Sequence, residues 1–402
     1  MRILQLCLRS PYPPRDGGAI AMDRLARSLV NSNVKVDVLA FNTLKHNIDP
    51  ASIPEEYRVV FNPQFVEVDA SLNIWDAIVN LINGKSYNVS RFDSPSMHQK
   101  LKSVLSASNY DCILIESLFM MPYVETIRLN SNAIIVYRAH NIENLIWKRL
   151  AKQTGFFLKK WYMKMLADRL ELYENEVLNK VDAIVPLTEQ DESWFRNAGY
   201  KGPMKVVPIG VSVNDYSVLD VPMESKIAFH LGSMDWMPNV EGVEWLLDYV
   251  WPKVINQVPD AILHLAGKGM PKSIFNRATE NISVSGFVDE LLNYFNGKQL
   301  MLVPLFSGSG MRVKIIEGMA AGRTIISTSV GAEGIKYTDG KNILIADDPD
   351  EFAAHIVHCF QDPLFAKRIA SAALDLAKSQ YDSDSLGFEL HDFIKRNLKF
   401  KS

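Results

Sequence analysis

The sequence predicts an α/β protein built from two doubly wound, Rossmann-like domains, each a parallel sheet with helices on both faces. Three observations lead there. Short apolar runs alternate with longer amphipathic stretches from end to end, the pattern of repeated strand–helix units. The series restarts after Pro208, where residues 210–225 form a polar hinge carrying Pro222. A chain of 402 residues is also long enough for each half to bury a core of its own.

In the first half, the apolar runs 3–8, 34–41, 112–116, 133–138, 183–187 and 205–208 have the length of strands. In the second half the corresponding runs are 227–231, 262–266, 282–285, 300–304, 324–327 and 342–345. Helical periodicity fills the gaps, as at 19–30, 243–254 and 313–321. The domains are therefore expected at 1–215 and 220–380, with the boundary near residue 220. A last helix within 385–402 follows Tyr381-Asp382-Ser383-Asp384, with Asp384 as its N-cap, and is expected to pack back on the first domain. Ligands of such domains bind past the carboxyl ends of the strands, here in a cleft that the two domains face.

Composition narrows the class. A net charge of −3 offers no bulk attraction to nucleic acid, and none is expected as a partner. Cys7, Cys112 and Cys359 are too scattered for a disulfide framework or a zinc site, so they read as reduced thiols of a cytoplasmic protein. The first residues lack the pattern of a secretory signal, and no apolar run approaches the ~18 residues of a membrane span.

The chemistry concentrates after the run 300–304. Gly308 and Gly310 let backbone approach a ligand closely. The helix that follows presents unpaired N–H groups and the positive end of its dipole. Arg312 and Lys314 sit at that end, where cations disfavour the helix unless an anion binds there. Glu317, one turn further, is placed to accept two hydroxyl bonds from a ribose. Gly-x-Gly is not completed to the dinucleotide fingerprint, which needs glycine at Val313.

The segments Val303-Pro304-Leu305, Gly308 to Gly322, Ser327-Thr328 and Gly331-Ala332-Glu333-Gly334 together resemble the signature block of glycosyltransferase family 4, the glycosyl transferases group 1. The resemblance implies the GT-B fold and a retaining, metal-independent, hexosyl-type transferase. Such an enzyme moves a sugar from a nucleotide-sugar donor to a saccharide or lipid-linked acceptor in polysaccharide or glycan synthesis, with no cofactor. The family carries two glutamates seven residues apart. Glu317 matches the second, which holds the donor ribose, and the first falls on Ser309, a departure. A second departure lies in Gly232-Ser233-Met234-Asp235-Trp236-Met237-Pro238-Asn239, where Ser233 and Asn239 occupy positions that are basic in the family and grip the donor diphosphate. Arg312 and Lys314 read as the replacement cations, and a subgroup with a Gly-Ser-Gly-x-Arg-x-Lys loop shares both features. For most apolar residues between Trp236 and Trp251, core packing is expected.

The resemblance extends the donor set to Gly232, Ser233, Asn239, Gly267, Phe287, Val288, Gly308, Ser309, Gly310, Met311, Arg312, Lys314 and Glu317. Phe287 and Val288 belong to a turn that meets the nucleobase through backbone groups. The Gly267 turn is equally a plain strand-to-helix connection. In the first domain Gly17 and Gly18 resemble the family's loop that closes from the acceptor side. His140 resembles its cleft histidine near the donor sugar, catalytic together with Arg312 and Lys314. Glu116 ends a strand and is either an acceptor contact or base, or a cap. Asp348-Pro349-Asp350 and Asp382-Ser383-Asp384 match a metal motif formally, but N-capping explains both and no metal is expected. Residues 156–164 mix aromatics with lysines, as a packed helix with a solvated basic edge or as a peripheral contact with an anionic membrane. Two other readings stay open: a nucleotide-sugar epimerase or hydrolase of the same fold and, through the departure at Ser309, a non-catalytic nucleotide-sugar-binding partner.

Overall fold

The computed structural model describes residues 1–14, 16–69, 86–153, 155–216, 226–288, 290–308 and 310–399. The chain divides into two compact units, Met1–Ile209 with Asp384–Ser402, and Gly210–Ser383. Ser309 and residues 217–225, where the sequence places the hinge, lie outside the described residues.

The first unit is a parallel sheet of β1 (Arg2–Cys7), β2 (Lys35–Thr43), β3 (Gln64–Val68), β4 (Cys112–Ile115), β5 (Ile134–Ala139) and β6 (Ala183–Pro186), in the order β3-β2-β1-β4-β5-β6. The second repeats that order with β7 (Ile227–Leu231), β8 (Ile262–Ala266), β9 (Ile282–Ser285), β10 (Leu300–Val303), β11 (Thr324–Ser327) and β12 (Leu344–Ile345), arranged β12-β11-β10-β7-β8-β9. Both are doubly wound sheets, as the alternating pattern predicts. The apolar strand runs follow from burial on both faces: Leu4 and Leu6 enter one core of the first unit, while Ile3 and Cys7 enter the other.

Two expectations fail at the element level. Residues 205–208 are not a strand of the sheet. They run beside β6, where the Lys205 and Val207 N–H groups donate to Ile184 and Pro186 carbonyls at 3.3 and 3.0 Å, and a lone bridge forms at Met204. The edge strand β3 is present instead; its Glu67 interrupts the apolar run that would have revealed it. The expected helix 243–254 is a helix at Met237–Trp245, a π turn at Leu246–Val250 and a helix at Trp251–Gln257. Pro252 has no N–H for the Asp248 carbonyl one turn back, so the α-helical ladder cannot continue through it.

The final helix, Ser383–Lys399, starts before Asp384, which lies in its first turn and accepts from Asn31 Nδ2 at 2.8 Å rather than capping. Leu386, Leu390 and Ile394 join the core of Ile3, Cys7 and Met22, and Gly387 fits against Ser28, where a Cβ would come within 2.4 Å. Asp348 caps the helix Pro349–Gln361 by accepting from the Asp350 and Glu351 N–H groups.

Candidate functional site

In an open parallel sheet the reversal of strand order opens a crevice past the strand ends. In the second unit that reversal falls between β7 and β10. β7 opens into Gly232 and Ser233, pressed against the turn after β8. A Cβ on Gly267, whose φ is +156°, would stand 1.8 Å from the Gly232 carbonyl oxygen. The Met234 N–H donates to the Lys268 carbonyl at 2.7 Å, and the Gly267 N–H to the Gly286 carbonyl at 3.0 Å. The second bond ties in the turn after β9, which carries exposed Phe287 and half-buried Val288.

After β10 the chain passes through Gly308 (φ +117°) and Gly310 (φ +79°) and enters the helix Val313–Ala320. The two cations turn inward. Arg312 is only 7% exposed; its guanidinium lies 5.3 Å over the Trp236 ring, and Nη1 donates to the Gly310 carbonyl at 2.9 Å. Gly308 packs on the same pair, since a Cβ there would come within 2.7 Å of Arg312 Nη2 and 2.8 Å of Trp236. Lys314 Nζ donates to the Leu231 carbonyl at 3.1 Å and to Asn239 Oδ1 at 2.9 Å, while Asn239 Nδ2 donates to the Ser233 carbonyl at 2.7 Å. A lysine following β10 thus delivers its ammonium to the end of β7, and Asn239 holds it there. Burial, and then the Arg312 charge, lower the Lys314 pKa to about 7. His230 beneath it, fully buried with Nδ1 donating to the Leu302 carbonyl at 2.9 Å, stays neutral because burial and Lys314 push its pKa well down. Met311 is buried in the loop, and Glu317 is buried one turn into the helix.

The corresponding reversal in the first unit lies between β1 and β4. Glu116 follows β4 with its side chain fully buried. Its Oε1 accepts from Gln5 Nε2 at 2.7 Å, and its Oε2 accepts from Arg138 Nη1 at 3.2 Å and from His140 Nε2 at 2.7 Å. Burial alone would raise this carboxyl, but the Arg138 charge and the His140 and Gln5 bonds outweigh it and hold the pKa at about 2. A permanent carboxylate accepting from Nε2 fixes the ring of His140, whose pKa burial nevertheless lowers. Of the roles open to Glu116, the geometry favours orienting His140 over touching an acceptor directly. Behind His140, Glu174 accepts from the Glu143 and Asn144 N–H groups at 3.3 and 3.2 Å, capping the helix Glu143–Gln153 from another helix, Phe157–Leu178. Gly17 and Gly18 are the first residues of the helix Gly17–Asn31, not a loop before it. Asp16 accepts from the Gly18 and Ala19 N–H groups and pairs with Arg9.

Sequence reading missed Trp236, which core packing was expected to absorb and which is instead 38% exposed beneath Arg312. It also missed Gln5 and Arg138; the visible signal was a polar residue inside each of two apolar strands. Nothing local marks Glu174, because its partners lie 30 and 31 positions away.

Residues 225–362 match the family described as Glycosyl transferases group 1. Over 393 residues the chain is 24% identical to an uncharacterized 44.6 kDa protein in the cps region of Klebsiella pneumoniae, covering 95% of this chain and 97% of that protein. Among solved structures it is similar to sucrose-phosphate synthase from Thermosynechococcus elongatus, with a TM-score of 0.72 at 15% identity and full coverage (100%) of both chains. It is also similar to Anabaena HepE in complex with UDP-glucose, with a TM-score of 0.66 at 13% identity, covering 98% of this chain and 100% of that one. The architecture is the GT-B fold, and with the domain matched in the second unit the protein is a glycosyltransferase.

Proposed function

We propose that the protein is a retaining, metal-independent transferase that moves a sugar from a nucleotide-sugar donor to a saccharide or lipid-linked acceptor. The second unit would bind the donor and the first the acceptor. One observation carries the reading: Lys314 reaches across to Asn239 and the Leu231 carbonyl. That places a cation at the end of β7, where the sequence has Ser233 and Asn239 in positions that are basic in glycosyltransferase family 4. With Arg312 beside it, the site has two cations for the charge that grows on a departing diphosphate. The HepE complex contains UDP-glucose, which favours a nucleoside-diphosphate sugar as the donor class.

In this scheme the anomeric carbon–oxygen bond to the diphosphate breaks, and Arg312 and Lys314 stabilise the anionic leaving group. The acceptor hydroxyl attacks from the same face and passes its proton to the leaving phosphate. His140, oriented by Glu116, is proposed to contact the donor sugar. Glu317 would accept the ribose hydroxyls. The setting proposed is cell-surface polysaccharide synthesis, as the family resemblance implies, and three buried free thiols favour the cytoplasm.

The test is a thermal-shift panel of uridine, guanosine and adenosine diphosphates and their sugars, followed by product analysis with the best donor. A ligand at a hundred times its Kd should add about 2.7 kcal/mol of stability. Transfer with retained anomeric configuration, undiminished by a chelator, is expected. Epimerised or hydrolysed donor as the main product with every acceptor would replace this reading by the epimerase or hydrolase. Donor binding without turnover would replace it by the binding partner.

A further inference from the structure

The helices Glu143–Gln153 and Phe157–Leu178 pack against each other, and the tip where the second helix begins gathers several exposed apolar side chains. Phe156, Phe157, Leu158 and Trp161 are 67, 76, 63 and 57% exposed. The sequence leaves a packed helix and a membrane contact both open here; the helix packs through Leu166 and Leu170, but its first turn leaves apolar side chains in solvent. Phe157, Trp161 and Lys164 recur at i, i+4 and i+7 and so share one helical face.

Charge decides what such a surface fits. From Asn144 to Ala167 the chain has Lys148, Arg149, Lys152, Lys159, Lys160 and Lys164 and no Asp or Glu, in a protein whose net charge is −3. Lys148 pairs with Glu171 at 2.6 Å, while Lys159, Lys160 and Lys164 stand exposed beside the aromatics. No helix among the described residues is long and apolar enough to cross a membrane. Aromatic side chains flanked by lysines are the composition that seats a helix at a headgroup boundary, the rings entering the acyl edge and the ammonium groups meeting lipid phosphates. A protein partner for four exposed apolar side chains would not require a margin of one sign of charge.

We propose that this helical tip docks the protein on an anionic lipid surface, with Phe157 and Trp161 inserting and Lys159, Lys160 and Lys164 engaging the headgroups. The surface belongs to the first unit and its occupancy does not depend on the donor reading. Its test needs no turnover, so its failure would leave the transferase reading standing.

The experiment is flotation of the full chain with vesicles of mixed phosphatidylcholine and phosphatidylglycerol, against phosphatidylcholine alone, across a salt series. Binding to the mixed vesicles that weakens with salt is expected. Phe157→Ser with Trp161→Ser should cut partitioning at least about ten-fold. Each of Lys159→Ala and Lys160→Ala should cut it about five-fold. All four side chains are exposed, so the variants should keep the parent's unfolding midpoint. Equal binding to both vesicle types, variants that float like the parent, or no flotation at all would overturn the proposal. So would self-association in sedimentation that disappears in the Phe157→Ser, Trp161→Ser chain while vesicle binding is absent, which would make the face a contact between copies.

Discussion

Replacing Lys314 by methionine keeps an unbranched stem and removes the ammonium, and its effect should depend on pH in a way that a loss of packing alone would not. A charged hydrogen bond to a phosphate contributes roughly 1.5–3 kcal/mol. That contribution is available only to the protonated lysine, and burial with Arg312 nearby has lowered its pKa to about 7 in the free protein. A bound diphosphate favours the charged form and raises the pKa again. Below pH 7 the free protein already carries the ammonium and binds with full strength. Above it, each pH unit adds about 1.4 kcal/mol of protonation cost until the bound-state pKa is reached. By pH 9 that cost, about 2.7 kcal/mol, cancels most of the contact. Calorimetry should use an intact nucleotide sugar, whose diphosphate diester does not itself titrate in this range. The parent should lose affinity by about ten- to a hundred-fold from pH 7 to 9, a loss capped by the strength of the contact itself. Lys314→Met should be weaker by about ten- to a hundred-fold at pH 6 to 7, nearly flat with pH, and should meet the parent curve near pH 9. Two parallel curves, or a parent with no pH dependence, would refute the placement of the Lys314 ammonium against the diphosphate.

Glu317→Ala should weaken nucleoside diphosphate binding by roughly 1.5–3 kcal/mol, and unchanged calorimetry would remove the ribose assignment. Trp236→Ala takes away the ring beneath Arg312, a contact of about 0.5–2 kcal/mol; a several-fold loss in kcat/KM for the donor is expected, with calorimetric binding of the isolated nucleoside changed less. Gly308→Ala places a methyl group on Arg312 and Trp236 at a φ of +117°; it should cost donor binding about 1–3 kcal/mol, and near-parent affinity would count against a rigid loop. Glu116 has a pKa of about 2 in the folded chain against 4.5 for the ordinary carboxyl. Its contribution to stability is therefore complete above pH 4.5 and is lost as pH falls through about 2. Glu116→Gln should flatten that part of the acid-unfolding curve by about 3 kcal/mol, and it should also lower turnover by freeing the His140 ring.

Most of the fold was legible because its signals are local. A strand buried on both faces favours an uninterrupted apolar run, and the central strand β10, Leu300–Val303, shows one with all four residues buried. The failures are also physical. β3 lies at an edge and tolerates Glu67, and Pro252 divides a helix whose apolar period continues through it. At the candidate site the sequence identified residue types but not their directions. Arg312 and Lys314 read as two cations awaiting an anion at a helix start, with nothing to show that both turn inward onto Trp236 and Asn239.

The sequence by itself determined the α/β class, the repeat of one domain plan in two halves, and the glycine turn followed by Arg312, Lys314 and Glu317. These depend on period, backbone freedom and charge within a few neighbouring positions. Only the tertiary structure decided that Lys314 is held by Asn239, 75 positions away, and that Glu116 is locked between Gln5 and His140. It alone decided that Trp236 leaves the core to carry Arg312. Those outcomes depend on which strand ends meet at the reversal of sheet order. Pairing between distant strands brings such residues together, and no local pattern records it.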